Sequence, residues 1–261
     1  MKCFAVFFVV LYLWLINVSP SVALLGNDAF DFFDSSKWTV LGDENRVRVA
    51  NGKAEFAPID GELTGYVWQL NPAYYNESWS ARIDVFLPSS GLDLDEMAGV
   101  DMYIVWPIPN PLDTDPLNYV AWEVEREGIG SGIIVGEYIA MKKTGAAKYE
   151  LDDAETSSYT LSLRVDWNSL TKLFSFFYDD DGGQDNWTLL TSVDINDWGM
   201  TDGDEFGIGI VGWASDTSLD FSDGLAVDNF NAVPLPEPGA MMLFALIGMP
   251  YLLHRVKRTA R

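Results

Sequence analysis

Two stretches of strict alternation constrain the fold more than any other feature of this chain. Residues 78–87 place Trp79, Ala81, Ile83, Val85 and Leu87 on one side and Ser80, Arg82, Asp84 and Phe86 on the other. Residues 159–167 repeat the pattern, with Tyr159, Leu161, Leu163, Val165 and Trp167 opposing Thr160, Ser162, Arg164 and Asp166. A period of two belongs to a strand with one buried face and cannot form the apolar stripe of a helix. Further strands are expected at 46–50, 53–57, 65–70, 100–106, 119–126, 133–142, 172–178, 188–191, 205–213 and 225–232, separated by clusters of Gly, Asn, Asp and Pro. The proline-rich segment 107–116 reads as a surface loop. Asn51-Gly52 is a two-residue hairpin signal, because both central residues of a type I′ turn need positive φ. Asp179-Asp180-Asp181-Gly182-Gly183 joins the aromatic strand Phe174-Phe176-Tyr178 to Trp187-Thr188-Leu189 in a longer hairpin. No fixed-period repeat is visible. Many short strands with few helical stretches predict an all-β protein, a two-sheet antiparallel sandwich.

The two ends of the chain follow a different logic. Lys2, the apolar run 3–16 and Ser21-Val22-Ala23 have the charged, hydrophobic and small-residue regions of a secretory signal peptide, a short helix cut after Ala23. Cys3, the one cysteine, leaves with it, so the mature chain has no disulfide. At the other end Pro236-Glu237-Pro238 is a stiff turn, since each proline fixes its own φ and restricts its predecessor. Residues 239–253 then carry no charge, and His254, Arg255, Lys257, Arg258 and Arg261 close the chain as a basic cluster. A helix over 239–253 spans roughly 22 Å, short of the ~30 Å hydrocarbon core, with arginines able to snorkel. An apolar span followed by cations that stay cytoplasmic acts as a stop-transfer element and leaves everything before it outside. The chain therefore divides into a signal peptide (1–23), a β-sandwich (24–233) and a C-terminal tail (234–261).

The tail, quoted as Leu235-Pro236-Glu237-Pro238-Gly239, apolar span and basic end, resembles the PEP-CTERM sorting signal. That resemblance implies an exosortase-type membrane protease that cleaves near Pro236, Glu237 and Pro238, in Gram-negative bacteria that make exopolysaccharide. Transient anchoring in the inner membrane and release to the cell surface or extracellular matrix follow from it. An ordinary C-terminal anchor is the alternative.

Between the two signals, 11 basic residues stand against 38 acidic ones, a difference of −27. Such a surface repels nucleic acid and anionic lipid and favours solubility and divalent cations. His254 is the sole histidine and lies in the tail, which leaves the mature domain without His-based triads and without His or Cys metal sites. No glycine loop that cradles phosphate precedes a helix.

Within the sandwich, the order of features resembles the concanavalin A-like lectin/glucanase jelly roll. The residues that carry this are Phe30-Asp31-Phe32-Phe33-Asp34 with Trp38, Asn51-Gly52-Lys53-Ala54, the Asp181-Gly182 hairpin with Trp187, Phe206-Gly207-Ile208-Gly209-Ile210, and Val227-Asp228-Asn229-Phe230. The resemblance implies two curved sheets, a concave face that receives polysaccharide, and a structural calcium near the last strand, at Asp228. Aromatic rings suit sugars because they offer an apolar face to C–H groups and a polar edge to hydroxyls. Trp79 and Trp167 sit in apolar alternation and are expected in the core; Trp68, Trp106, Trp122 and Trp213, with polar neighbours, are the expected stacking residues. Carboxylate-dense loops offer calcium ligands at Asp179, Asp180, Asp181 and Asp185, and next at Asp202 and Asp204, or else simply solvate their turns.

One run hints at catalysis. Alternation puts Glu123, Glu125 and Glu127 on one strand face, and this resembles the laminarinase-type signature of nucleophile, assisting Asp and acid/base, with Glu125 standing where that family has Asp. Alternate residues lie roughly 6.6 Å apart along a strand, near the ~5.5 Å of a retaining pair. The flanking sequence differs, and alternating glutamates also make a solvated strand face, so no enzyme activity is expected. The sequence thus reads as an exported, surface-sorted sandwich that binds carbohydrate or fills a structural role in the matrix. A polysaccharide-cleaving enzyme and a calcium-dependent adhesin are the alternatives. The mature protein is expected to end near residue 236, which intact-mass spectrometry of the exported pool checks; Arg261 still attached in that pool would contradict it.

Overall fold

A computed structural model describes residues 25–106, 118–128, 133–140, 148–181 and 185–235. The signal peptide, the sorting motif Pro236-Glu237-Pro238, the apolar span 239–253 and the loop 107–116 lie outside the described residues. Among the described residues no helix is long and apolar enough to cross a membrane.

Among the described residues fifteen strands form two antiparallel sheets stacked face to face. The back sheet runs β13 (Thr188–Asp194), β12 (Leu173–Asp179), β11 (Thr160–Asn168), β6 (Trp79–Phe86), β15 (Ala226–Pro234), β4 (Lys53–Phe56) and β3 (Val47–Ala50), with β1 (Gly26–Asp28) also on β15. The front sheet runs β10 (Lys148–Thr156), β9 (Ile133–Ala140), β8 (Asn118–Glu127), β7 (Met97–Trp106), β14 (Glu205–Ser215), β5 (Thr64–Tyr74) and β2 (Trp38–Leu41). The all-β sandwich expected from the alternation is the architecture observed.

The two alternating stretches become β6 and β11 and pair with each other, Trp79 opposite Trp167, Ile83 opposite Leu163 and Val85 opposite Leu161. Their apolar faces coincide because a slip of one residue would turn both to solvent. The hairpin at Asn51-Gly52 forms as expected: φ is 57° and 71° at these residues, and Ala50 pairs with Lys53. β12 and β13 pair antiparallel, as the acidic turn between them requires.

Three strands carry no pattern from which to expect them. β1 and β2 are three and four residues long, too short for a period to show. β10 is rich in acid and forms by pairing with β9 at the sheet edge, where charged residues guard against further pairing. β5 extends past the expected 65–70 to Tyr74, through Pro72. The register shift between Phe206 and Ile208 of β14 gives that proline a bulge to occupy.

Large aromatic side chains fill the space between the sheets. Trp38, Trp79, Trp122, Trp167, Tyr66, Phe56, Phe174, Phe176, Phe206 and Phe230 are all fully buried. Rings from opposite sheets meet at Trp167 and Phe206 (5.2 Å, 70°), Trp122 and Phe176 (5.7 Å, 63°) and Trp38 and Phe230 (5.1 Å, 71°). Edge-to-face geometry of this kind adds about 0.5–1.5 kcal/mol per pair beyond the area buried. Polar edges are served too: Trp122 Nε1 donates to the Phe177 carbonyl at 3.0 Å, Trp38 Nε1 to Asp28 Oδ2 at 3.0 Å, and Trp167 Nε1 to the Tyr75 carbonyl at 3.1 Å. Trp167→Ala is therefore expected to destabilise the domain by about 3–5 kcal/mol, measured by urea unfolding. A loss under about 1 kcal/mol would mean the seam is not what holds the sheets together.

Candidate functional site

The site follows from which residues the core claims. On β7 the side chains of Ala98, Val100, Met102 and Ile104 are wholly buried between the sheets. Alternation therefore sends Gly99, Asp101, Tyr103 and Val105 to the outer face. On β8, Val120, Trp122 and Val124 point inward, which leaves Tyr119, Ala121, Glu123 and Glu125 outside. On β14 the inward Ile208, Ile210 and Ala214 leave Gly209, Val211 and Trp213 outside. Register aligns these three rows, with Asp101 opposite both Glu123 and Val211, Tyr103 opposite Ala121 and Gly209, and Gly99 opposite Glu125 and Trp213. The result is a pocket of about 340 Å³ walled by Asp101, Tyr103, Tyr119, Glu123, Glu125 and Trp213.

Gly99 makes room for the largest of these side chains. A Cβ there would lie 2.9 Å from the Trp213 ring and 2.7 Å from the Val124 carbonyl, so the indole rests directly on the backbone of β7. Its Nε1 then donates to Asp101 Oδ1 at 2.9 Å. Tyr103 also hydrogen-bonds Asp101, and burial, followed by the Asp101 charge, pushes its phenol far above the usual tyrosine range. Burial, then Asp101 and Glu123, pushes the Tyr119 phenol up as well. Both tyrosines thus stay neutral near pH 7, with their rings 5.3 Å apart at 58°. Although they lie on the outer face, Asp101 and Glu123 are only 4% and 7% exposed. Opposed residues in a sheet have Cβ atoms about 4.5–5.5 Å apart, so these two carboxyl groups face one small volume. Beside the pocket lies a wholly apolar trough of about 220 Å³, floored by Val67, Val105, Gly209 and Val211 and sharing Leu63, Tyr103 and Tyr119 with the pocket.

The residues expected from sequence are divided by this geometry. Glu123 and Glu125 line the pocket, whereas Glu127, opposite Met97 at the strand end, does not. Trp213 forms a wall. Trp68 and Trp122 require correction as stacking residues: both point into the core, Trp68 against Trp38 and Phe230 at 4.7 Å each, and Trp122 with no exposed surface. Trp106 packs partly against the core at the opposite end of β7 from Gly99 and hydrogen-bonds Asp204. Asp101, Tyr103, Tyr119 and Gly99 were not singled out by sequence. Alternation within 100–106 already put Asp101 and Tyr103 on one face, but only the register between strands places Glu123 and Trp213 beside them.

No protein-family profile and no curated protein matches this sequence. Solved structures do match by shape. A glycoside hydrolase family protein from Mycobacterium thermorestibile superimposes with a TM-score of 0.51 at 14% identity, over 80% of this chain and 100% of that one. A legume lectin-like domain from Entamoeba histolytica gives 0.54 at 8% identity, over 77% and 91%. The exoplasmic/lumenal domain of VIP36, in a Ca2+/Man3GlcNAc-bound form, gives 0.52 at 12% identity, over 78% and 87%. The chain has a concanavalin A-like jelly-roll fold. Identities this low fix the fold and nothing finer.

Calcium was expected in two places, the acidic loop at Asp179, Asp181 and Asp185, and, separately, near the last strand at Asp228. In the back sheet, register sets Asp228 beside Asp84, Asp84 beside Ser162 and Ser162 beside Asp179. The two expected places are thus three strands apart, about 14 Å. Asp179 is 1% exposed; burial opposes its charge, yet backbone N–H groups of Asp181 (3.0 Å), Asn186 (3.2 Å) and Asp185 outweigh burial and hold its carboxyl below the usual range. Asp185 is engaged by Arg82 at 2.8 Å, and Asp180 by the Thr156 hydroxyl at 2.9 Å. Asp204 accepts from Thr201 N and Oγ1 at 2.6 and 2.9 Å. Asp179 and Asp204 thus organise their own turns, while Asp180 and Asp185 tie the acidic loop to β10 and β6. Among the described residues no group of three or more His, Cys, Asp or Glu is placed to hold a metal ion.

Asp228 differs from the loop residues. Burial raises its carboxyl above the usual range, and the neighbouring Asp84 adds to this against a hydrogen bond from Asn229 N at 2.6 Å. A raised folded-state value means that the native state holds its proton more tightly than the unfolded chain, so this residue costs stability as pH rises through that value. Asp228→Asn keeps an acceptor for Asn229 and removes the charge. It is expected to raise Tm at pH 7 and to leave it unchanged near pH 3, where both states are protonated. A lowered Tm at pH 7 in calcium buffer would instead make Asp228 a cation ligand.

Proposed function

We propose that this protein is an exported glycan-binding module, carried out of the cell by its signal peptide, sorted through its tail by an exosortase-type protease, and presented at the cell surface or in the matrix. The observation that carries the binding role is the Trp213 indole, seated on Gly99, hydrogen-bonded to Asp101 and set among Tyr103, Tyr119, Glu123 and Glu125. A flat ring held this way offers a face to sugar C–H groups, and the carboxylates and phenols around it accept from and donate to sugar hydroxyls. The lectin-like and hydrolase neighbours, sharing the fold, support a glycan-related role.

A glycan array probed with the purified chain tests the reading. Trp213→Ala is expected to lower affinity for any positive glycan by tenfold or more, about 1.4 kcal/mol. Gly99→Ala, which contacts the indole, is expected to do the same by lifting the ring. A positive glycan bound equally by both variants would move the site elsewhere.

Cleavage is the second reading, and one arrangement favours it: Asp101 faces Glu123 across β7 and β8, with Glu125 two residues further along. Incubation with β-glucans is expected to release no reducing ends. Release that vanishes in Glu123→Gln would replace binding by hydrolysis.

A further inference from the structure

The pocket has a chemical bias that the fold does not impose. Its aromatic walls, Trp213 in the row of Glu125 and Tyr103 and Tyr119 beyond the row of Asp101 and Glu123, flank the charged side chains of its described wall, Asp101, Glu123 and Glu125. Two of these carboxylates are more than nine-tenths buried within a cavity of about 340 Å³, where electrostatic attraction is screened far less than at an open surface. Trp213 Nε1 and Tyr103 both engage Asp101, and hydrogen bonds to an ionised carboxylate favour its charge. Aromatic faces attract cations as well as sugar C–H groups. An anionic sugar, such as a uronate or sulfated residue, would set its charge against these carboxylates; a neutral sugar would leave them to hydroxyls alone. An ammonium group on the sugar ring adds charge-assisted hydrogen bonds to the contacts these carboxylates already make.

We propose that this pocket selects glycans bearing free amino groups, that is, unacetylated amino sugars, with the ammonium held by Glu123, Glu125 and Asp101 and the ring stacked on Trp213. The proposal rests on the glycan-binding reading above and names its ligand class. It also accounts for the trough beside the pocket: the apolar face of the next sugar in a chain can lie on Val105, Val67 and Val211 once the amine is anchored.

The test uses the full chain immobilised on a sensor surface at physiological ionic strength, with four probes. Three share one backbone and differ only at C2: the β-1,4-linked glucosamine tetramer, its N-acetylated form and cellotetraose. The fourth, spermine, carries amines without sugar rings. The glucosamine tetramer is expected to bind at least about tenfold tighter than the other three. Glu123→Gln and Glu125→Gln should each bring its affinity down toward that of cellotetraose; Glu125, less buried, covers the case in which Glu123→Gln does not fold. If cellotetraose binds as tightly as the glucosamine tetramer, amine selection is overturned while glycan binding stands. Spermine bound as tightly would show cation capture without sugar recognition and overturn both readings. The absence of binding by all four would overturn amine selection, and the glycan array alone would then decide glycan binding. Unchanged affinity of the glucosamine tetramer in both variants would assign its binding to the general acidic surface and overturn the placement in this pocket.

Discussion

The aromatic seam between the sheets is the constraint on which everything else in this domain depends. Residues 24–233 have no cysteine for a disulfide, and they carry a net charge of −27 that opposes compaction. Cohesion has to come from burial. Trp167, Phe206, Phe174 and Trp79 interlock within 6 Å of one another, and Trp122 and Trp38 add hydrogen bonds that reach across the sandwich. An indole fixed both by packing and by its N–H has one orientation, and the strand that bears it has one register.

Register is what turns this core into a site. Because Trp122 is held inward, Glu123 and Glu125 on either side of Val124 must face outward; because Val100 and Met102 are buried, Asp101 and Tyr103 must as well. The pocket is thus the outer face of strands whose inner faces are locked, and its side chains gain their positions without spending much of their own interaction energy. Gly99 adds the one local concession, an empty side-chain position in which an indole from the neighbouring strand can lie flat.

Alternation made the strands legible in the sequence, along with the face each residue takes, and the type I′ turn at Asn51-Gly52 was legible from its residues. The partners across strands were not, because pairing between residues such as Gly99 and Trp213, more than a hundred positions apart, is decided by the packing of the whole sandwich. Trp68 and Trp122 show the same limit in reverse. Their polar sequence neighbours suggested exposure, yet in a strand those neighbours lie on the opposite face and say nothing about the tryptophan. The acidic loops left two readings open for another reason: a carboxylate in a turn has the same appearance in sequence whether it binds a cation or, like Asp179, the N–H groups of its own loop.

Two sets of carboxylates now sit on opposite outer faces, and their surroundings separate their roles. In the back sheet Asp84 accepts from Ser162 Oγ at 2.6 Å and Asn229 Nδ2 at 2.8 Å, while burial raises the carboxyl of Asp228 beside it. That face eases its charge by hydrogen bonds within the protein. In the front sheet Asp101 is held by an indole and a phenol, both of which are also walls of the cavity, and Glu123 stands opposite it. The same groups that steady the negative charge there also enclose the space next to it, so a ligand entering that space meets an aligned charge and an aromatic surface together. Carboxylates that only kept the protein soluble would be better placed in open water; burying them at 4% and 7% exposure has a desolvation cost, which the indole and phenol hydrogen bonds to Asp101 offset in part and a cationic ligand would offset further.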